Sequence, residues 1–108
     1  MTTGIKMGNV SGIYLARITI DPASVATITT AEQLFTVPGV QVGDAVFVCK
    51  PSNTTGLGVV NSRASANNQI GITFVNPTAG AVDAASEVYL VAVLRPQSVP
   101  VLGAAIYD

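Results

Sequence analysis

The chain contains no histidine, no tryptophan and a single cysteine, and only 10% of its 108 residues are charged. Each shortage excludes something. Without histidine there is no Ser-His-Asp or Cys-His site, and the usual proton shuttle near neutral pH is missing. One cysteine, Cys49, excludes an internal disulfide, so stability rests on packing and on association. A strand cysteine reads as a small buried apolar residue, although Lys50 beside it is a cation of the kind that activates thiols. The five cations (Lys6, Arg17, Lys50, Arg63 and Arg95) are scattered and form no run. Phosphate binding needs clustered Lys and Arg, so direct nucleic-acid binding is not expected. The longest apolar run, Val88 to Leu94, is far short of the ~20 residues of a membrane helix. The opening MTTGIKMGNVSG lacks the apolar core of a signal peptide. The expectation is a protein made and folded in the cytoplasm, with no membrane partner.

What is present is small and apolar. Ala, Val and other hydrophobic residues make up 49% of the chain, and the net charge is −1. A typical domain carries about 25% charged residues. With so few charges, part of the surface must be apolar or uncharged, and such surface marks contact with a partner or a neutral Ser/Thr/Asn coat. A chain of this length buries roughly 65% of its unfolded surface, enough for one modest core.

The carboxylates Asp21, Glu32, Asp44, Asp83, Glu87 and Asp108 are dispersed. Asp21, Asp44 and Asp83 read as turn residues, and no calcium-like cluster forms. Asp83 and Glu87 flank one loop as a conceivable acid/base pair, which would also need a cleft. Gly56-Leu57-Gly58 lacks the Lys-Ser/Thr and the helix of a phosphate loop. The glycosylation sequons at Asn9 and Asn53 are irrelevant without secretion. No catalytic, cofactor or metal residues emerge, and the chain reads as a non-enzyme with no small-molecule substrate. Arg63 and Arg95, in or at the end of apolar strands, are the charges best placed for a partner, the alternative being edge residues that snorkel.

Local grammar favours strands throughout. IYLARITI (13–20), SVATIT (24–29), LFTV up to Val37, AVFVCK (45–50), VVNSRAS (59–65), QIGITFV (69–75) and EVYLVAVLR (87–95) are each β-like. Pro38-Gly39 suits a type II turn, Gly43-Asp44 a second turn, and Ala66-Asn67-Asn68 a third. The last strand is apolar on both faces and is expected to be central. The expected core is Phe35, Val37, Val46, Val48, Ile70, Ile72, Phe74, Tyr89, Val91 and Val93. About seven short strands with turns at close spacing predict an all-β fold, a single antiparallel β-sandwich or compact barrel over 13–96. Residues 1–12 read as a flexible N-terminal arm and 97–108 as an extended C-terminal arm. Pro100 and Gly103 break the tail, yet Val101, Leu102, Ile106 and Tyr107 make it too apolar for a solvated end. They are candidate partner contacts on another subunit, the alternative being a further strand on the chain's own body.

TVPG with VGD (36–39 and 42–44), ASANN (64–68), FVNPTAGA (74–81) and LRP (94–96), within residues 22–96, resemble small structural proteins of tailed-bacteriophage heads, among them capsid cement or decoration proteins. The resemblance implies a jelly-roll type of sandwich on the outer capsid surface, commonly a homotrimer, clamping neighbouring subunits of the major capsid protein. It brings no active-site residues. Other virion β modules (a head-fibre base, a tail or baseplate component) fit the same features. A carbohydrate-binding sandwich is the third reading, though tyrosines stand only at 14, 89 and 107.

Overall fold

A computed structural model describes residues 10–97. They form β1 (Val10–Ile20), β2 (Thr29–Thr36), β3 (Ala45–Cys49), β4 (Gly58–Ala66), β5 (Gln69–Asn76) and β6 (Glu87–Pro96), with no helix. Two antiparallel three-stranded sheets result, in the orders β1-β6-β3 and β2-β5-β4. The all-β expectation holds. The last strand is indeed the middle of its sheet, paired to β1 on one side and β3 on the other.

Two expectations about the strands need correction. The strand count is six rather than about seven among the described residues, because SVATIT is no strand. Val25 makes only an isolated bridge to Val82, and Thr27-Ile28 is a turn, with Ile28 at φ 47°. The N-terminal arm does not reach residue 12, since β1 starts at Val10. Val10 lies opposite Pro96, and the Ser11 hydroxyl donates to Arg95 O (3.1 Å) and, less closely, to Pro96 O (3.3 Å). Those contacts extend a Gly-Ser stretch of weak strand propensity. In the C-terminal arm only Gln97 is described, and it is exposed; the rest lies outside the described residues.

The core follows from strand alternation. Tyr89, Val91 and Val93 of β6, Val46 of β3 and Ile70, Ile72 and Phe74 of β5 are buried in one cluster, closed by Ile20, Val25, Val37 and Val40. Phe35 and Val48 are half-buried at its margin rather than fully enclosed. Since residues of both sheets enter the one cluster, the sheets bury their inner faces together.

Turn chemistry fixes the ends. Val40 N donates to Val37 O (3.3 Å) around Pro38-Gly39, with Gly39 at φ 95°. Asp44 N donates to Gln41 O (3.0 Å) around Val42-Gly43, with Gly43 at φ 100°. These are the φ > 0 positions that glycine occupies without steric cost. The β4–β5 hairpin tip then locks onto this connector. Asn68 N donates to Val40 O (2.7 Å), and Asn68 Oδ1 accepts from Gly39 N (2.8 Å).

At the opposite end of β5, Asn76 is fully buried. Its Nδ2 donates to Val25 O (3.0 Å) and Gly80 O (2.8 Å). Its Oδ1 accepts from Thr78 N (2.9 Å) and Thr78 Oγ1 (2.6 Å). One carboxamide therefore holds the 77–84 connection against the Val25 segment with its hydrogen-bonding capacity filled. The Gln33 amide performs a similar service at the β2 edge, accepting from Ala23 N (2.8 Å) and donating to Ala23 O (2.9 Å).

Candidate functional site

The two sheets differ on their outer faces. In β1-β6-β3, registry places Ile13, Leu94 and Ala45 in one row, Leu15, Ala92 and Phe47 in the next, then Arg17, Leu90 and Cys49, and finally Thr19 beside Val88. These residues alternate with the buried set, so they share the opposite face. Leu15 is 65% exposed, Phe47 55%, Ile13 54% and Val88 49%. Arg17 is the one charge in these rows and stands on the outer strand. A sheet face open to water normally alternates to polar residues; this one is left open by the described residues and stays apolar over three strands.

The outer face of β2-β5-β4 is the polar counterpart. Its rows carry Glu32, Thr73 and Asn61, then Leu34, Gly71 and Arg63, then Thr36 and Gln69. Glu32 reaches diagonally across Gly71 to Arg63, with Nη2–Oε1 at 2.8 Å and Nε–Oε2 at 2.6 Å. A Cβ on Gly71 would lie 2.8 Å from Glu32 Cδ, so the glycine leaves room for this bridge.

Between the sheets on one side, β3 and β4 face each other without a backbone ladder, joined by Ser62 Oγ donating to Val46 O (2.7 Å). Val60 is the extra residue of a bulge there and is 59% exposed. It carries apolar surface from Phe47 around the edge into a shallow groove with Val59 and Cys49.

Four further charges are paired within the fold. Arg95 binds Asp44 through two contacts (Nε–Oδ1 3.0 Å, Nη2–Oδ2 2.8 Å) and donates to Gly39 O (2.6 Å). The Asp44 side chain is only 3% exposed. Hydrogen bonding from Arg95 holds its carboxyl below the ordinary range against the opposing effect of burial. Lys50 meets Glu87 (2.8 Å) and Thr54 (2.8 Å), and Ser52 Oγ also donates to Glu87 (2.5 Å). Bonds from Lys50 and then Ser52 lower the Glu87 carboxyl, and the Arg63 bond lowers that of Glu32. Burial raises both core tyrosines, Tyr89 to about 12, and neither buried hydroxyl has a hydrogen-bond partner among the described residues.

The two arginines singled out from sequence are not brought together. Arg63 lies on the outer face of β2-β5-β4 and Arg95 pins the β2–β3 connection, each with a partner within the chain. Val101, Leu102, Ile106 and Tyr107 lie outside the described residues. Glu87 turns to Lys50. Cys49 is exposed rather than buried, because Val46 and Val48 take the inward positions of the short β3 strand. Among the described residues no group of three His, Cys, Asp or Glu could hold a metal ion, and no helix is long and apolar enough to cross a membrane. Sequence reasoning missed the outward row residues, Leu15 and Phe47 above all. Their signal was the double apolar parity of β6, read as burial on both sides when the described residues cover only one. Comparisons with protein families, with curated proteins and with solved structures return no match.

Proposed function

We propose that this protein is a virion structural protein, a capsid cement or decoration protein whose work is contact with other chains. The observation that carries the reading is the apolar outer face of β1-β6-β3, with Leu15, Phe47 and Ile13 each more than half exposed. Such a face marks an interaction surface. The strand order adds support. β1 with β6 and β2 with β5 are the paired arms of one antiparallel ribbon, with β3 and β4 at its far end. Rolling that ribbon until β6 meets β3 and β5 meets β4 gives the two sheets, which we read as a six-stranded jelly-roll sandwich. Jelly rolls are an architecture of capsid and lectin domains, so this is support by analogy of fold. The TVPG, ASANN, FVNPTAGA and LRP segments that resemble phage head proteins fall at the turns and strand ends of this body.

On this reading the partner is the major capsid protein, the location is the outer capsid surface, and synthesis takes place in the host cytoplasm. The role needs no cofactor. Weak contacts repeated over a symmetric shell sum to strong attachment. The test is binding of the purified protein to expanded empty heads that lack it. Saturable binding is expected, with a rise in the temperature at which the heads disrupt. Failure to bind heads at any concentration up to that of a saturated shell would overturn the proposal.

A further inference from the structure

We infer that the outer face of the β1-β6-β3 sheet is covered by the same face of a second copy of this chain. The inference names the occupant of the face that supports the capsid reading, a second copy rather than the capsid itself, and stands without that reading. Three observations converge on this occupant.

The first is extent. Three strands about 4.8 Å apart and four rows about 6.8 Å apart span roughly 400 Å² in projection. Side-chain corrugation raises the accessible area by about half, so two copies bury roughly 1,200 Å² in total. That is the lower end of the range for stable, specific interfaces.

The second is composition. Ile13, Leu94, Ala45, Leu15, Ala92, Phe47, Leu90, Cys49 and Val88 present no charge, and Arg17 lies on an outer strand. Interfaces between copies of one chain are the more apolar class, and charge is depleted at their centres. The charges that could steer a different partner, Arg63 and Glu32, are on the opposite sheet.

The third is relief. Along the central strand the outward side chains run Val88, Leu90, Ala92 and Leu94, so Ala92 is a hollow between two leucines. Leu15 and Phe47 flank that hollow in its own row. A two-fold axis lying across the strands, between the rows of Leu90 and Ala92, brings all four rows of the two copies together and sets Leu90 of each copy into the Ala92 hollow of the other. The fit is reciprocal, as an isologous contact requires. Sheets pack face to face at about 10 Å, the spacing that such interdigitation gives. The contact is therefore a pair, where the head-protein resemblance implies three copies.

The full-length protein tests this by sedimentation equilibrium at about 100 µM, with the Cys49 thiol as an internal probe. Cys49 is exposed and sits in the third row of the face, and it is the sole cysteine of the chain. Wild type is expected at twice the chain mass. Leu15→Lys, a change at a 65% exposed side chain, is expected at the chain mass with an unchanged circular dichroism spectrum. Leu34→Lys, at a 53% exposed residue on the other outer face, is expected to remain a pair. Alkylation of Cys49 is expected to run at least tenfold faster in Leu15→Lys than in wild type at the same concentration. A monomeric wild type overturns the inference, as does an assembly of three or more copies, or one that Leu15→Lys leaves intact. Head binding is scored separately, so loss of the pair and loss of the capsid reading are distinguishable results.

Discussion

Replacing Asn76 tests whether one buried carboxamide holds an end of the fold. The side chain is fully buried and makes four hydrogen bonds, to Val25 O, Gly80 O, Thr78 N and Thr78 Oγ1. Truncation does not orphan all four partners. Val25 O keeps Val82 N (3.0 Å), Thr78 Oγ1 keeps Gly80 O (2.8 Å), and Gly80 is exposed to water. The Thr78 N–H is left without its acceptor. With about 0.5–1.5 kcal/mol net for each bond lost, and a small cavity, Asn76→Ala is expected to cost about 2–4 kcal/mol. For a domain of this size that lowers the melting temperature by about 10–25 °C. Asn76→Asp keeps the shape but aims a carboxylate at two carbonyl oxygens, so it is expected to be at least as damaging as Asn76→Ala at pH 7. Its carboxyl pKa is then raised in the folded state above the unfolded value near 3.9. The folded state binds the proton more tightly, so the deficit grows as pH rises from about 4 and shrinks as it falls. Thermal unfolding of both variants and wild type at pH 4.5, 5.5 and 7 reads this directly. An Asn76→Asp variant within about 0.5 kcal/mol of wild type at pH 7, or a deficit independent of pH, would refute the hydrogen-bond assignment.

Three other outcomes are expected. Wild-type stability should be level above the carboxylate range and fall as pH drops below about 4. The cause is that Asp44, Glu32 and Glu87 all have lowered folded pKa values, so their contribution is lost on protonation. Acid titration of Asp44→Asn should show a shallower fall, and an unchanged slope would count against the Arg95 pair as its source. Ile28→Gly should raise stability by about 1 kcal/mol in urea unfolding. The β-branched Ile28 sits at φ 47° and is 76% exposed, so strain is relieved with little loss of burial. Tyr89→Phe should be neutral or stabilising by up to about 1 kcal/mol, since it removes a buried hydroxyl with no partner among the described residues; a loss above about 1 kcal/mol would reveal a partner for that oxygen.

Strands with a clean period were legible in the sequence. QIGITFV alternates strictly, and Ile70, Ile72 and Phe74 are buried. The Pro38-Gly39 turn was legible because proline and glycine each admit few alternatives. SVATIT misled because its alternation is genuine, but only Val25 bridges, and the chain then turns at Ile28, a residue type that gives no hint of φ > 0. The start of β1 was hidden by Gly12 and Ser11, whose strand character comes from β6 alongside. Arg63 and Arg95 were visible as unusual charges. Their partners were not, being 31 and 51 residues away. Asn76 looked like ordinary turn grammar before Pro77, and its burial depends on Val25, 51 residues earlier. The apolar face was half legible: β6 is apolar on both sides, but periodicity does not say whether the second side meets the same chain or another one.

The placement of β6 bears on the order in which the chain can fold as it is made. β2, β4 and β5 are complete once residue 76 has been synthesised, and the tight Asn67-Asn68 hairpin can start their sheet. Among the described residues β1 and β3 bond only to β6, so neither gains its ladder until residues 87–96 exist. For that interval Ile13, Leu15 and Phe47 sit on unpaired strands, the type of segment that aggregates. The short length of β3 and the Arg17 charge in β1 limit that hazard. β6 therefore converts two exposed ribbons into a sheet in one step, and nascent chains halted before Glu87 should be the form that chaperones and proteases recognise.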